Sequence, residues 1–269
     1  GELRRPHDVH ADHVELAGLG ARALHHRLAL LVGVVAELDQ GYGRPGRLRV
    51  RRMRWRGRVL GGSSSINGMI YMRGQAADYD GWAAAGNPGW AWRDVLPLFK
   101  RSENHFAGTS EWHGGDGEWR VERQRLSWEI LEAFREAAEQ SGIASVDDFN
   151  GGDNEGCSYF QVNQKRGVRW NASRAFLRDI RQRPNLQVLT GAEAERLELE
   201  GGRARALHMR SQGRALRVAA RREIILCAGA IGSPVLLQRS GIGPRPLLER
   251  LGIGVRHELP GVGESLQDH

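Results

Sequence analysis

The chain has 269 residues, of which 40% are hydrophobic and 26% charged, so it is long enough to bury one large core or two smaller ones. Its two cysteines, Cys157 and Cys227, lie far apart and exclude a disulfide framework or a cysteine-based zinc site. It has no run of 18 apolar residues and no signal-peptide pattern at its start, so we expect no transmembrane segment and, by default, a cytoplasmic location.

The net charge of +7 comes almost entirely from arginine. Only Lys100 and Lys165 are lysines, and the arginines are interleaved with 32 acidic residues along the whole chain. A basic protein can bind nucleic acid, and a basic binding module remains one alternative interpretation. The scattered charge favours a solvated basic surface, so we expect no nucleic-acid partner.

Residues 1–50 contain a glycine turn, Gly18-x-Gly20-x-x-Ala23, followed by a helix-like stretch over residues 23–38 and then by Glu37 or Asp39. This order is that of a dinucleotide-binding turn. The preceding DHVELA makes a short and polar strand, and five of the ten histidines crowd this segment. Residues 1–50 therefore stay unassigned.

The stretch Gly57–Asp80, GRVLGGSSSINGMIYMRGQAADYD, places two glycines, three serines and an asparagine between apolar runs. Gly61 and Gly62 allow a ligand close to the backbone, while Ser63, Ser64 and Asn67 offer short polar groups. A flexible turn explains the glycines equally well.

Periodicity predicts the elements that follow. Apolar residues at helical spacing indicate an amphipathic helix from Ser127, a candidate N-cap, to Gly142, a candidate stop signal, and its expected role is packing. Beyond it, short runs joined by tight turns predict strands near residues 186–190, 195–200, 203–210, 214–220 and 223–227.

The last of these strands, Glu223–Cys227, leads through Ala228, Gly229 and Ala230 into a helix that we expect to begin near Ser233 and Pro234. Small residues at such a turn admit a ligand to the backbone, and the helix N-terminus favours anionic groups. Cys227 is expected to be a small buried residue at the strand end.

Both glycine-containing blocks resemble the two signature segments of the glucose-methanol-choline (GMC) family of flavin-dependent alcohol oxidoreductases, in particular its choline dehydrogenase-like members. The first block carries the core Gly57–Asn67 and then Tyr71, Gly74 and Asp80. The second carries Gly229, Ser233, Pro234, Leu236, Leu237 and the run Ser240–Gly243. The resemblance covers residues 51–269, and WHGGDG at Trp112–Gly117 supports it.

The resemblance implies an α/β fold: an FAD-binding Rossmann-like domain with an inserted α+β substrate or cap domain. Residues 51–102 and 185–269 would form the two parts of the FAD-binding domain, and residues 103–184 the cap. We expect the FAD-binding domain to be incomplete, with the chain lacking family sequence at both ends. One hypothesis is that residues up to about Leu48 are read out of frame.

The resemblance also implies the cofactor contacts. In the first signature these are Val59, Gly62, Ser63, Asn67, Gly68, Met69 and Ile70; Ala194 would lie at the adenine and Gly229 would support the cofactor from the second signature. Packing is an alternative explanation for Ile70, whereas Gly62 and Asn67 are expected to need a ligand. Ile66 occupies the position where some members attach flavin through a histidine, so the FAD is expected to be noncovalent.

The implied reaction is FAD-dependent oxidation of a primary alcohol, choline or a similar small molecule, with an electron acceptor that the sequence leaves open. The family's histidine base has no counterpart here, so no catalytic residue and no metal ligand is assigned. The chain alone is expected to be inactive and to bind FAD weakly or not at all. His105, His113, His208 and His257 are interpreted as surface or structural residues without an acidic partner. A non-redox hydroxynitrile lyase is the alternative within the family.

Overall fold

The structure is a computed structural model that describes residues 57–267 and the backbone of two short strands, β1 (His7–His10) and β2 (Ala29–Val32). The glycine turn at Gly18 and the rest of residues 1–56 lie outside the described residues. The helix expected over residues 23–38 is wrong at Ala29–Val32, which pair as a strand.

The chain divides into two compact units. One, here called the loop unit, contains Trp55–Asp179; the other, the sheet unit, contains Ile180–His269 together with β1 and β2. The predicted boundary near residue 184 lies close to this division, whereas the one near residue 102 has no counterpart in it. Which segment serves cofactor and which serves substrate stays a prediction.

A four-stranded sheet dominates the sheet unit, in the order β1-β10-β9-β8. Its three long strands form an antiparallel meander and are β8 (Ala192–Glu200), β9 (Arg203–Ser211) and β10 (Arg214–Ala219). Strand β1 pairs in parallel with β10. Both turns place two consecutive residues at positive φ, Gly201 and Gly202 in one, Gln212 and Gly213 in the other. Paired positive φ angles match the right-handed twist of the strands, so these turns set the register.

The core of the sheet unit lies between the meander and helix α4 (Gly229–Arg239). Its buried side chains include Leu197, Leu207, Val218 and Leu236. Ser240, at the end of α4, accepts a hydrogen bond from the Leu197 amide at 2.8 Å and donates to the Leu236 carbonyl at 2.6 Å. The helix is thereby joined to β8 by polar as well as apolar contacts.

Strand β11 (Glu223–Leu226) pairs in parallel with β2 and leads directly into α4. The helix begins at Gly229, so the predicted start near Ser233 and Pro234 is wrong. The reason is local: the Ser233 hydroxyl accepts a hydrogen bond from the Ala228 amide at 3.0 Å, which caps the first turn from within the helix. Cys227 is exposed, so its predicted burial is also wrong.

One further prediction for this part of the chain differs from the structure. Residues 186–190 form no strand, although Leu186 is buried. The unit ends with short elements that pack near α4: β12 (Ile242–Gly243), α5 (Arg245–Arg250) and β13 (His257–Glu258).

The loop unit is built from two small sheets and three helices. One sheet contains β3 (Glu103–His105), β4 (Trp119–Arg123) and β5 (Gln161–Val162). The other is a hairpin of β6 (Gln164–Lys165) and β7 (Val168–Arg169). The helices are α1 (Ala76–Ala84), α2 (Trp92–Ser102) and α3 (Glu129–Gln140), and a short π-helix spans Ser173–Leu177. Tyr79 of α1 joins α1 to α2 through ring contacts with Trp92 and Phe99.

Helix α3 confirms the predicted amphipathic helix but not its predicted cap. The N-cap is Trp128, whose backbone is extended and whose side chain makes no capping bond, so the assignment to Ser127 is wrong. Gly142 has φ +86°, the left-handed conformation of a helix stop, as predicted. The apolar side chains Trp128, Ile130 and Phe134 are exposed rather than packed, contrary to the predicted role of the stripe.

The mixture of helices with parallel and antiparallel strands confirms the α/β class. Within the described residues no helix is long and apolar enough to span a membrane.

Candidate functional site

The glycine-serine loop of the loop unit folds as a tight turn followed by a 3₁₀ helix over Gly62–Ser65. Gly61 and Gly62 have φ +95° and +55°, a region that side chains with a Cβ rarely adopt. A Cβ on Gly61 would meet the Ser65 hydroxyl at 2.7 Å, whereas a Cβ on Gly62 would meet nothing within 4 Å. Gly61 is therefore required for packing, and Gly62 leaves open space beside the backbone.

Two serines of this loop are used internally. The Ser65 hydroxyl accepts from Asn171 Nδ2 at 2.8 Å and donates to the Leu60 carbonyl at 3.1 Å. The Ser64 hydroxyl accepts from the Ala172 amide at 3.0 Å. The loop is thus anchored to the segment that starts the π-helix, and Ser64 is a structural group rather than the ligand-facing one that the sequence suggested.

Asn67 also has a structural role. Its side-chain oxygen accepts hydrogen bonds from the Met69 amide at 3.1 Å and from Arg169 Nη1 at 2.9 Å. These bonds stabilise a turn in which Met69 takes φ +64°, an uncommon angle for a residue with a side chain. The expectation that Asn67 needs a ligand to explain it is therefore wrong, since the fold alone accounts for it.

The outer surface of the loop is apolar and open. Val59, Ile66 and Ile70 are 56%, 49% and 49% exposed, large values for such side chains. Ser63 is exposed, and its hydroxyl makes no hydrogen bond to another described residue. Gly68 is exposed as well, and Gly62 and Met69 are half-buried. An apolar surface beside unused polar groups suits a planar, partly polar cofactor.

The chain leaves the loop along β5. Ile70 bridges Val162, the Tyr71 amide donates to the Gln161 carbonyl at 2.8 Å, and the Asn163 amide donates to the Met69 carbonyl at 2.8 Å. Residues 69–71 are therefore held as an added strand at the edge of the small sheet.

The next part of the chain contributes to a closed ring of hydrogen bonds among five residues, made by their side chains and by the backbone amides of Arg73 and Asn150. It is here called the buried ring, and its members are Arg73, Glu103, His113, Asp148 and Asn150. Arg73 Nη2 donates to Glu103 Oε2 at 2.7 Å, and the two His113 nitrogens lie 3.0 Å from Glu103 Oε1 and 2.5 Å from Asp148 Oδ2. The Asn150 amide donates to Asp148 Oδ1 at 2.8 Å, and Asn150 Oδ1 accepts from the Arg73 amide at 2.8 Å, which closes the ring.

The buried ring contains two basic and two acidic side chains, and their contacts shift the pKa values of His113, Glu103 and Asp148. Burial opposes the charged form of His113, but the hydrogen bonds and charges of Asp148 and Glu103 outweigh it and raise its pKa to about 9. Burial likewise opposes ionisation of Glu103, yet His113 and Arg73 hold its pKa below the usual value, and His113 does the same for Asp148. Two cations therefore face two carboxylates.

The histidine predictions need correction. His113 is buried with two acidic partners, and His208 contacts Glu198 Oε2 at 2.7 Å, so the expected lack of acidic partners is wrong for both. His105 is buried beside His113, and burial lowers its pKa. His257 is an exposed residue of β13, as a surface assignment predicts.

His105, His113 and Asp148 bring potential metal-ligand atoms within 4.8 Å of one another. The two imidazole rings stack at 3.8 Å with 17° between their planes, so their in-plane lone pairs run nearly parallel and do not converge on one ion. The 2.5 Å contact between His113 and Asp148 also leaves room for a shared proton only. The geometry therefore favours a hydrogen-bonded cluster over a metal centre.

The two remaining predicted contacts, Ala194 and Gly229, belong to the sheet unit. Ala194 is buried on β8 in the core of that unit, so only its backbone is open to a ligand role. Gly229 has φ +83° at the first turn of α4, and a Cβ there would meet nothing within 4 Å. The strand-to-helix turn is thus open, as the sequence suggested.

Sequence reasoning missed the buried ring and the anchors Asn171 and Arg169. The segments WHGGDG and DDFNGG contain His113, Asp148 and Asn150, and their polar residues among glycines were the available signal. Nothing in the spacing shows that residues so far apart in the chain share hydrogen bonds.

Comparison with known proteins places these features in a family. The family model described as GMC oxidoreductase matches residues 34–269. This match begins before Arg51, the residue at which the resemblance was expected to begin. The hypothesis that residues up to about Leu48 are read out of frame stays a prediction.

Among curated proteins, the oxygen-dependent choline dehydrogenase of Sinorhizobium fredii is 45% identical over 214 residues, covering 80% of this chain and 39% of that protein. The enzyme of the same name from Brucella ovis is 44% identical over the same share of both chains. The chain thus spans about two fifths of the length of these relatives.

Solved structures with a similar fold support the same family. Pyridoxine 4-oxidase from Mesorbium loti has a TM-score of 0.72 at 36% identity, covering 76% of this chain and 41% of that one. An FAD-dependent oxidoreductase from Chaetomium thermophilum has a TM-score of 0.75 at 33% identity, covering 79% and 39%. These neighbours share the α/β fold and identify FAD as the family's cofactor. With the signature loop, the open turn at Gly229 and a family model that matches most of its length, this chain belongs to the GMC oxidoreductase family.

Proposed function

We propose that this chain provides the FAD-binding part of an enzyme that oxidises a primary alcohol. The observation that carries the proposal is the loop Val59–Ile70, which has the family signature and presents open space at Gly62 beside an exposed apolar surface. We assign residues 51–102 and 185–269 to the FAD-binding domain and residues 103–184 to the cap.

The described residues fit the cofactor in distinct ways. Gly62 lets the ligand approach the backbone, the free Ser63 hydroxyl offers a hydrogen bond, and Val59 and Ile70 offer apolar contact. Asn67 acts indirectly, by holding Gly68 and Met69 in place. FAD, when bound, would supply the hydride acceptor, which no amino-acid side chain can provide.

The FAD is proposed to be noncovalent because Ile66 has no nucleophilic atom. It is also exposed, so its alkyl side chain adds to the apolar surface. Denaturing the flavin-loaded protein in acid should leave the yellow cofactor in the supernatant, and flavin that stays with the precipitate would contradict this assignment.

The FAD site is tested by replacing Gly62 with leucine. The new side chain would fill the open space, so we expect the FAD dissociation constant, measured by fluorescence titration, to rise at least about tenfold, a change of about 1.4 kcal/mol. The matched control is Gly201→Leu, at a hairpin turn with φ +54° and equally open space. Both variants carry the same backbone strain, but only Gly62 belongs to the proposed site. Equal FAD affinity in the two variants would contradict the proposal.

The substrate proposal comes from the relatives. Two curated relatives are choline dehydrogenases, and pyridoxine 4-oxidase is a structural neighbour, so choline is the first candidate and pyridoxine the second. In the natural enzyme that carries this chain, anaerobic choline should bleach the flavin absorbance. None of the ten histidines matches the family's base, so we expect residues 1–269 alone to show no alcohol-dependent dye reduction. Cyanohydrin cleavage without bleaching would instead select the lyase.

A further inference from the structure

The buried ring makes hydrogen bonds to the backbone of Tyr71–Arg73, the segment that follows the proposed flavin loop. The Arg73 amide and the Tyr71 carbonyl both bond to the side chain of Asn150, at 2.8 and 3.2 Å. Arg73 also donates to the Trp112 carbonyl at 2.6 Å, while Glu103 accepts from the Gly114 amide at 2.9 Å. Backbone from three separate parts of the loop unit therefore meets at one set of side chains.

The opposite end of the loop is held by different groups. Ser64 and Ser65 bond to Ala172 and Asn171, as described above. Between the two anchors lie residues 66–70, which include three of the proposed cofactor contacts, Gly68, Met69 and Ile70, together with Asn67, which holds Gly68 and Met69 in place. Met69 keeps a positive φ there, and a strained backbone angle persists only where the surrounding structure fixes it.

We propose that the buried ring is a positioning device for FAD: it fixes the backbone at Tyr71–Arg73 and so holds Asn67, Gly68, Met69 and Ile70 in the conformation that receives the cofactor. This rests on the proposed function, since the contacts are those assigned to FAD. His113 and Asp148 are then positioning residues, which touch neither the cofactor nor the substrate.

The ring suits this role because every member is buried or satisfied by its neighbours. Arg73, Glu103, His113 and Asn150 are all buried. A balanced, fully bonded polar network has one arrangement, and loss of one member leaves its partners unpaired in a water-poor site. Apolar packing alone would leave the backbone of Tyr71–Arg73 more conformational freedom than these hydrogen bonds do.

The test uses two variants of the natural enzyme that carries this chain, His113→Gln and Asp148→Asn. Glutamine carries no charge and has one donor nitrogen in place of the two ring nitrogens that contact Glu103 and Asp148, so we expect His113→Gln to open the ring at its centre. Asp148 is one-quarter exposed, and Asp148→Asn is the milder change that is expected to fold. The control is Glu198→Gln, since Glu198 also pairs with an arginine and a histidine, Arg217 and His208, but on the sheet unit.

Two measurements separate positioning from general stability. In the FAD-free protein, hydrogen exchange of the amides of residues 68–73 should speed up at least about tenfold in both ring variants, while the β9–β10 hairpin is unchanged. In titrations, their FAD dissociation constants should rise at least about fivefold, and that of Glu198→Gln should stay within about twofold of the original.

Two results would contradict the proposal, and a third would contradict the function on which it rests. Folded Asp148→Asn protein with unchanged exchange in residues 68–73 would show that the ring does not hold the loop. Faster exchange with unchanged FAD affinity would show that it holds the loop for another reason. If the natural enzyme that carries this chain binds no FAD, the proposed function itself is contradicted, and this is seen before any variant is made.

Discussion

At the scale of single residues, His113 is held by contacts on several sides. Its ring is buried, donates towards Glu103 and Asp148, and stacks on His105. Two negative partners favour the protonated ring, whereas a second buried charge at His105 would oppose it, and burial lowers the pKa of His105. The cluster thus contains one imidazolium and one neutral imidazole at neutral pH.

This charge state predicts a pH dependence of stability. Because the pKa of His113 is raised to about 9 in the folded chain, its contribution is fully present below the unfolded value, near 6.5, and is lost as pH rises through 9. Over that interval the loss is on the order of 3 kcal/mol. The melting temperature should fall with rising pH in the original chain and fall less in His113→Gln. The two should converge above pH 9.

The control for this prediction is the same pH series on Glu198→Gln, which leaves the buried ring intact and should keep the alkaline slope of the original chain. Parallel curves for the original chain and His113→Gln would show that His113 is not protonated at neutral pH. At acidic pH the dependence of stability on pH has the opposite sign. The pKa values of Glu103 and Asp148 are lowered in the folded chain, so their contribution to stability is lost as pH falls.

At the scale of elements, the features that depend on neighbours in sequence were predictable. The β8–β9 hairpin follows from alternating residues around Gly201 and Gly202, and helix α3 follows from its apolar spacing and from Gly142. The cap of α3 was displaced by one residue because Trp128 is extended and Ser127 lies outside the helix. Helix α4 starts early because Ser233 caps it from inside.

The site divides in the same way. The unusual backbone of Gly61 and Gly62 could be predicted because glycine pairs in a loop signal positive φ. The role of Asn67 could not, because its partner Arg169 is 102 residues away. The buried ring likewise joins Arg73 to Asn150, which are 77 residues apart. Such contacts depend on the folded arrangement of strands and loops, which no local pattern encodes.

At the scale of the whole chain, charge is the property that composition reports most directly. Many arginines are paired with nearby acids across the described residues, including Arg120 with Glu122, Arg210 with Glu195, and Arg245 with Glu258. Pairing of this kind lowers the local positive potential even though the net charge is +7. Such pairing favours dispersed charge over a basic binding surface, and it leads us to expect no nucleic-acid partner.

The consequence is a prediction about polyanions. Nonspecific binding to duplex DNA requires several cations that can each replace a condensed counterion, and its affinity falls steeply between about 50 and 200 mM salt. With many of its described arginines paired to carboxylates, the chain should bind random-sequence DNA weakly at low salt and not measurably at about 150 mM, in fluorescence anisotropy at micromolar protein. The Glu195→Gln variant removes the acidic partner of Arg210, and the Glu258→Gln variant leaves Arg245 with Glu249 alone, so both should bind more strongly at low salt. Submicromolar binding by the unmodified chain at physiological salt would contradict this and would support the nucleic-acid-binding alternative, because such affinity requires a clustered arginine surface.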